Sequence, residues 1–131
     1  MYSKHMLIGI LLSCARFKLV IFHNEKAKLG YSIKYSLEIR GEKEFLKGIE
    51  RSLSMQGITT LFKETESSTR NKPLLKITGK ENLWKVKKLI PDLPDRNNNL
   101  KDFKRSMYII NKNRHKTLEG LEVLMKIKGV L

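Results

Sequence analysis

Hydrophobic and polar residues alternate with a period of two over residues 31–40 of this chain. Every second position is apolar or aromatic, in the order Ile33, Tyr35, Leu37 and Ile39. The positions between them are polar, in the order Ser32, Lys34, Ser36 and Glu38. Because successive side chains of a strand point to opposite faces of a sheet, the pattern predicts a strand with one buried face and one polar, partly basic face.

The other elements follow from the same kind of pattern. Residues 17–24, 59–66 and 72–78 predict three further strands. Apolar residues three and four positions apart predict helices at residues 6–15, 42–56, 81–90, 100–111 and 118–128, the last behind a Thr117 cap. Residues 91–99, with two prolines and three asparagines, predict a loop. The order predicts an α+β fold in which a four-stranded antiparallel sheet carries helices on one face, with extra C-terminal helices. We expect residues 1–131 to form one domain.

The other face of such a sheet is open to solvent. The chain carries 27 Lys and Arg residues against 13 Asp and Glu, a net charge of +14. A single surface lysine is most simply a solvated side chain, but this charge favours a nucleic-acid interface for the open face as a unit. The predicted binding residues are Lys18, Asn24, Ser32, Lys34, Lys63, Lys72, Lys76 and Arg96. The aromatic residues expected in the core rather than on bases are Tyr31, Tyr35, Trp84 and Phe103.

The opening segment LIGILLSCARF, residues 7–17, has three interpretations: a signal or membrane segment, a buried helix, or a catalytic helix that has lost its catalytic residues. Its apolar run, residues 6–12, is too short to span a bilayer, so we expect no membrane association. Cys14 is the one cysteine, which excludes an internal disulfide, and we expect it to be a small buried side chain. Gly9 and Ser13 lie one turn apart, a spacing that lets two helices approach closely.

This segment and the elements after it resemble one repeat of the LAGLIDADG homing endonucleases and maturases. The signature helix LAGLIDADGSF is matched at Leu7, Gly9 and Phe17. Residues 111–131 are similar to the closing segment of the fungal mitochondrial branch, KxHxTxEGLxxIxxIKxxMN. The matching residues there are His115, Thr117, Glu119, Gly120, Leu121, Ile127 and Lys128. The resemblance implies a single αββαββα repeat that binds DNA or structured RNA.

The resemblance also identifies where a catalytic metal would bind. In the family, the penultimate acidic residue of the signature helix holds a divalent metal at the cleavage site. The matching position here is Cys14, and the earlier acidic position is Leu12. Mg²⁺ prefers hard oxygen ligands, so a thiol does not replace the carboxylate. We do not expect rescue by the acidic residues that follow the first two strands, Glu25, Glu42 and Glu44. We therefore predict no catalytic residue, no metal and no cofactor.

The sequence thus predicts a nucleic-acid-binding protein derived from a homing endonuclease. Its role is that of a maturase-like RNA chaperone, a DNA-binding regulator or a basic ribonucleoprotein subunit, as in an organellar ribosome. The alternative is an active homodimeric endonuclease that uses Mg²⁺. We expect either a homodimer through the first helix or docking of that helix in a larger ribonucleoprotein. The residues predicted at that interface are Leu7, Gly9, Ile10 and Ser13. Abundant Lys, Asn and Ile, with the fungal mitochondrial resemblance, predict an organelle-encoded mitochondrial protein.

Overall fold

The computed structural model describes residues 2–91 and 98–130, without the side chain at position 98. Its helices are α1 (Lys4–Cys14), α2 (Lys43–Met55), α3 (Lys80–Leu89), α4 (Asn98–Asn111) and α5 (Leu118–Lys128). Its strands are β1 (Arg16–His23), β2 (Tyr31–Arg40), β3 (Leu61–Lys63) and β4 (Leu74–Ile77). The predicted α+β fold and element order are confirmed.

The sheet is antiparallel throughout, with the strand order β1-β2-β4-β3. Leu37 at its centre lies opposite Phe17 on one side and Ile77 on the other. Residues directly opposite in an antiparallel pair share a face, so these three side chains line the same face. That face forms the core together with buried apolar residues of the helices. The principal helical contributors to the core are Leu7, Leu11, Leu46, Ile49, Leu53, Leu83, Phe103 and Leu124.

The start of the chain is anchored on α2. The backbone N–H of Tyr2 donates to Ser52 Oγ at 2.7 Å, and the Tyr2 ring lies directly over Gly48. A Cβ at that glycine would lie 2.7 Å from a ring carbon, so only glycine allows this approach. The next residue, Ser3, caps α1 by accepting a hydrogen bond from the Met6 backbone N–H at 3.2 Å. Together these contacts set α1 beside α2.

Three elements, β3, β4 and α4, have bounds that differ clearly from the sequence prediction. Strands β3 and β4 are shorter than predicted, because the connection between them turns back on itself: the Glu66 N–H donates to the Lys72 carbonyl at 3.0 Å. Helix α4 begins before residue 100, so the predicted loop at 91–99 was wrong at its C-terminal end. Asn99 is part of that helix, and its side-chain amide bonds the backbone of β1. Phe17 N–H donates to Asn99 Oδ1 at 2.6 Å, and Asn99 Nδ2 donates to the Phe17 carbonyl at 3.0 Å.

The last helix begins as predicted at Thr117, whose hydroxyl accepts a hydrogen bond from the Gly120 N–H at 3.1 Å. A short 3-10 turn, Arg114–Lys116, precedes it and was not predicted. Gly120 packs directly on the Arg114 carbonyl, where a side chain would not fit. Within residues 2–91 and 98–130, no helix combines the length and apolar character needed to cross a membrane.

Candidate nucleic-acid interface

The open face is the side of the sheet that points away from the helices. It carries side chains that lie opposite one another on neighbouring strands. Lys18 lies opposite Ser36, and Lys34 lies opposite Val20. Glu38 lies between Arg16 on β1 and Lys76 on β4. Cross-strand pairing therefore brings residues from three strands onto one surface, although they are far apart in sequence.

Three of the predicted binding residues converge on a shallow depression in this surface. Lys18, Lys34 and Lys76 line it, and its volume is about 420 Å³. The Lys18 side chain is 61% exposed, and Lys34 is also exposed. Phe22 lies on the same face, with the Lys34 Nζ 5.4 Å from its ring centroid. Three flexible ammonium groups around one depression form a surface suited to phosphate groups.

Glu38 is a buried carboxylate at the centre of this basic surface, and it is only 5% exposed. One of its oxygens lies 3.7 Å from Lys18 Nζ, and the other lies 3.5 Å from a guanidinium nitrogen of Arg40. Arg40 also donates to Glu66 at 2.6 Å, a hydrogen bond that raises the pKa of Arg40 and lowers the pKa of Glu66. The alternation over residues 31–40 places Glu38 on the polar face but does not indicate that it pairs with Lys18 and Arg40. The only signal was an acidic residue within a basic strand face.

The other predicted residues that the structure describes are not among those that line the depression. Asn24 and Ser32 are bonded to each other at the β1–β2 turn, where Asn24 Nδ2 donates to Ser32 Oγ at 2.8 Å. Lys63 is exposed at the end of β3, opposite Leu74, and Lys72 is exposed in the β3–β4 connection. Arg96 lies outside the described residues. The depression therefore gathers only part of the predicted set.

Helix α1 presents one side to solvent. Gly9 is exposed, and a Cβ there would meet nothing within 4 Å. Ser13 is also exposed, and its hydroxyl donates to the Gly9 carbonyl at 2.8 Å. Leu7 is fully buried in the chain's own core, and Ile10 is half-buried against that core. Of the four predicted interface residues, Gly9 and Ser13 therefore form the exposed surface.

Cys14 is exposed, so the prediction of a buried side chain was wrong. Helix α1 ends at this residue, and the chain leaves it in an extended conformation. Ala15 takes the buried position instead, at 4% exposure. Burial follows the direction of the chain after the helix, which the apolar pattern alone does not reveal.

The C-terminal end of α1 does not fit a Mg²⁺ ion. The side chains there are the Ser13 hydroxyl and the Cys14 thiol, and α1 contains no carboxylate. A hard cation needs several oxygen ligands, usually including a carboxylate. Glu38 is already paired with two cations. In the part of the chain that the structure describes, no group of three or more His, Cys, Asp or Glu residues is arranged to hold a metal.

The fold itself is that of the LAGLIDADG homing endonucleases. No family model and no curated protein matches the sequence, but solved structures match the fold. The homing endonuclease I-TnaI superposes with a TM-score of 0.77 and 19% identity, over 96% of this chain and 85% of that one. The LAGLIDADG homing endonuclease I-LtrWI, bound to its target DNA, gives a TM-score of 0.81 and 20% identity, over 99% and 44%.

A further DNA-bound structure, the meganuclease I-SmaMI on an uncleaveable DNA, gives a TM-score of 0.80 and 18% identity, over 100% of this chain and 44% of that one. The chain therefore spans less than half the length of these two DNA-bound proteins. The resemblance drawn from residues 7–17 and 111–131 is confirmed at the level of the fold.

Proposed function

We propose that this chain binds nucleic acid on the open face of its sheet and does not cleave it. The observation that carries the proposal is the convergence of Lys18, Lys34 and Lys76 on one depression of an open antiparallel sheet. A twisted sheet of this kind fits the major groove of a duplex, where lysines contact phosphates. The DNA-bound neighbours I-LtrWI and I-SmaMI support duplex DNA as the first ligand to test.

The absence of cleavage rests on the chemistry at the end of α1. Cys14 and Ser13 offer a thiol and a hydroxyl where metal-assisted hydrolysis of a phosphodiester would require a carboxylate to hold the metal. The lysines of the open sheet face can bind phosphates without a metal. Binding and cleavage are therefore separable in this chain.

The proposed assembly is a homodimer that pairs the exposed side of α1 with that of a second copy. One copy spans 44% of each DNA-bound neighbour, so two copies would build a surface of comparable length. Gly9 leaves open space on α1 for the close approach of another helix. Docking of α1 in a larger ribonucleoprotein is the alternative, and sedimentation of Gly9→Arg beside the unaltered chain distinguishes them. A dimer becomes a monomer in the variant, whereas a chain that is already monomeric is unchanged.

The test of binding is a duplex-selection experiment followed by anisotropy titration. We expect Lys34→Ala and Lys76→Ala each to weaken duplex binding, while Lys126→Ala, an exposed lysine on α5, leaves it within about twofold. For a dimer with roughly six phosphate contacts, log K falls against log salt with a slope of about −5. If all three variants lost the same affinity for the duplex, net charge alone would account for the effect.

Incubation of the selected duplex with Mg²⁺ tests the second half of the proposal. We expect full-length DNA after incubation. Metal-dependent nicking would establish the endonuclease alternative instead. Sequencing of nucleic acid that co-purifies with the chain then separates a DNA-binding regulator from a maturase-like protein or a ribonucleoprotein subunit, because only the last two retain RNA.

A further inference from the structure

A second basic surface lies on the helical side of the molecule, away from the open sheet face. We call it the helical patch, and its residues are Lys80, Trp84 and Lys87 of α3, Tyr108 of α4, Lys112 just after α4, and Arg114 of the 3-10 turn. The three α3 residues are spaced four and three positions apart, which places them on one side of that helix. Tyr108 and Lys112 are four positions apart across the C-terminal end of α4. Since α3 packs on α4, the two rows are neighbours.

Close contacts hold the cations and the aromatic rings of the helical patch together. Lys112 Nζ lies 2.6 Å from the Tyr108 hydroxyl and 4.2 Å from its ring centroid. Lys87 Nζ lies 4.7 Å from the Trp84 ring centroid. The hydrogen bond from Lys112 lowers the pKa of Tyr108, and the charges of Arg114 and Lys87 lower it further. Residues of all three elements therefore act on one hydroxyl and share one positive field.

The cations of the helical patch, like Lys34 and Lys76 of the open sheet face, have no acidic partner among the described residues. Arg40 and Lys43 are paired with glutamates at 2.6 and 2.7 Å. Among the described residues, no carboxylate lies within 4 Å of the charged group of Lys80, Lys87, Lys112 or Arg114. Like charges gathered without counterions repel one another, and a bound polyanion relieves that repulsion.

We propose that the helical patch is a second nucleic-acid surface, which binds an extended single strand. The aromatic residues of the helical patch favour a single strand over a duplex as its ligand. Tyr108 is 48% exposed and Trp84 is half-buried against the core, so each offers part of its ring among the cations. Rings between phosphate-binding cations are the arrangement on which unpaired bases stack, whereas the bases of a duplex are already stacked. The six residues of the helical patch are all cationic or aromatic, which favours a nucleic acid over a lipid surface.

The two surfaces lie on opposite sides of the sheet, so this inference goes beyond binding at the open face. A single strand on the helices and a duplex on the sheet do not compete for the same residues. The chain can then hold both at once. This inference does not depend on binding at the sheet.

Trp84 is the only tryptophan in the chain, which gives the helical patch its own optical signal. Titration of the unaltered chain with an oligouridine of about 12 nucleotides is expected to change Trp84 emission. The selected duplex is expected to leave that emission unchanged. With four cations contacting phosphates, log K for the oligouridine should fall against log salt with a slope of about −3.

Charge reversal tests the cations against a matched control. We expect Lys87→Glu with Lys112→Glu to weaken oligouridine binding more than about tenfold and to leave duplex affinity within about twofold. The control, Lys126→Glu with Lys128→Glu, makes the same change in charge on exposed residues of α5. Loss of the Tyr108 ring in Tyr108→Leu should weaken oligouridine binding about tenfold, and Tyr108→Phe should preserve it. Circular dichroism of each variant checks that the fold is intact.

Three outcomes would overturn this proposal. Equal weakening by the two charge-reversal pairs would mean that net charge alone drives binding. Suppose that Lys34→Ala abolishes oligouridine binding and that oligouridine leaves the Trp84 emission of the unaltered chain unchanged. The single strand would then lie on the sheet. A Trp84 response to vesicles containing phosphatidylserine, without a response to oligouridine, would make the patch a lipid-binding surface. Failure of duplex binding alone would affect only the sheet proposal, since the Trp84 signal is read separately.

Discussion

Replacement of Glu38 by glutamine removes the one carboxylate buried in the centre of the open sheet face. Glu38 holds Lys18 at 3.7 Å and Arg40 at 3.5 Å. The substitution keeps the shape of the side chain but abolishes its charge. Lys18 then has no carboxylate within 4 Å among the described residues, whereas Arg40 stays bonded to Glu66 at 2.6 Å. The change therefore frees one cation for phosphate rather than two.

The size of the effect follows from that single cation. Each phosphate contact steepens the slope of log K against log salt by about 0.9, so one more contact raises affinity about fivefold near 0.15 M salt. The fold should tolerate the change, because glutamine keeps the size of the buried side chain and both cations that lose the carboxylate are exposed, Lys18 at 61% and Arg40 at 40%. We expect Glu38→Gln to bind duplex DNA about fivefold more tightly with nearly unchanged thermal stability.

Fluorescence anisotropy over a series of salt concentrations measures both quantities for one duplex. Glu122→Gln is the matched control, since it removes the same unit of charge from an exposed position on α5. The control should change affinity by less than about twofold. A gain of equal size in both variants would mean that net charge, not release of Lys18, strengthens binding. Weaker binding by Glu38→Gln would refute the reasoning outright, because Glu38 would then contribute to the interface directly.

Three further predictions concern stability. Gly120→Ala forces a methyl group onto a backbone carbonyl and should destabilise the fold by about 1–3 kcal/mol, whereas Gly9→Ala, which meets open space in a single copy, should stabilise the monomer by about 0.5–1 kcal/mol. Thermal unfolding of the two variants checks this, and a loss of stability in the second would show that its site is occupied. Asn99→Ala leaves the N–H and carbonyl of Phe17 without their side-chain partners and should cost about 1–3 kcal/mol by urea unfolding, unless water replaces both bonds. Burial, with help from nearby lysines, lowers the pKa of His115, whose Nδ1 is buried without a hydrogen-bond partner in the described part of the chain. The folded state then resists protonation, so stability should be fully present above about pH 6.5 and fall as the pH drops below it. His115→Gln should remove that dependence between pH 7 and 5, and an unchanged pH profile would exclude His115 as its source.

The period-two alternation over residues 31–40 determined the face of the central strand. It placed Leu37 in the core and Lys34 in solvent, and both lie there. The Thr117 cap and the absence of acidic residues from α1 are also plain in the sequence. These features are local: each depends on residues within a few positions of one another, and the geometry of a helix or strand translates spacing directly into direction.

Only the tertiary structure determined which charged residues surround each candidate site. The ion pair of Arg40 with Glu66 joins residues 26 positions apart, and the helical patch joins α3 to residues beyond α4. The exposure of Cys14 depends in turn on how the chain leaves α1 for the sheet. A sequence gives the charge of each residue, but the field at a site depends on the distances between residues that packing brings together. The basic character of this chain was therefore readable from its composition, and its division into two surfaces required the fold.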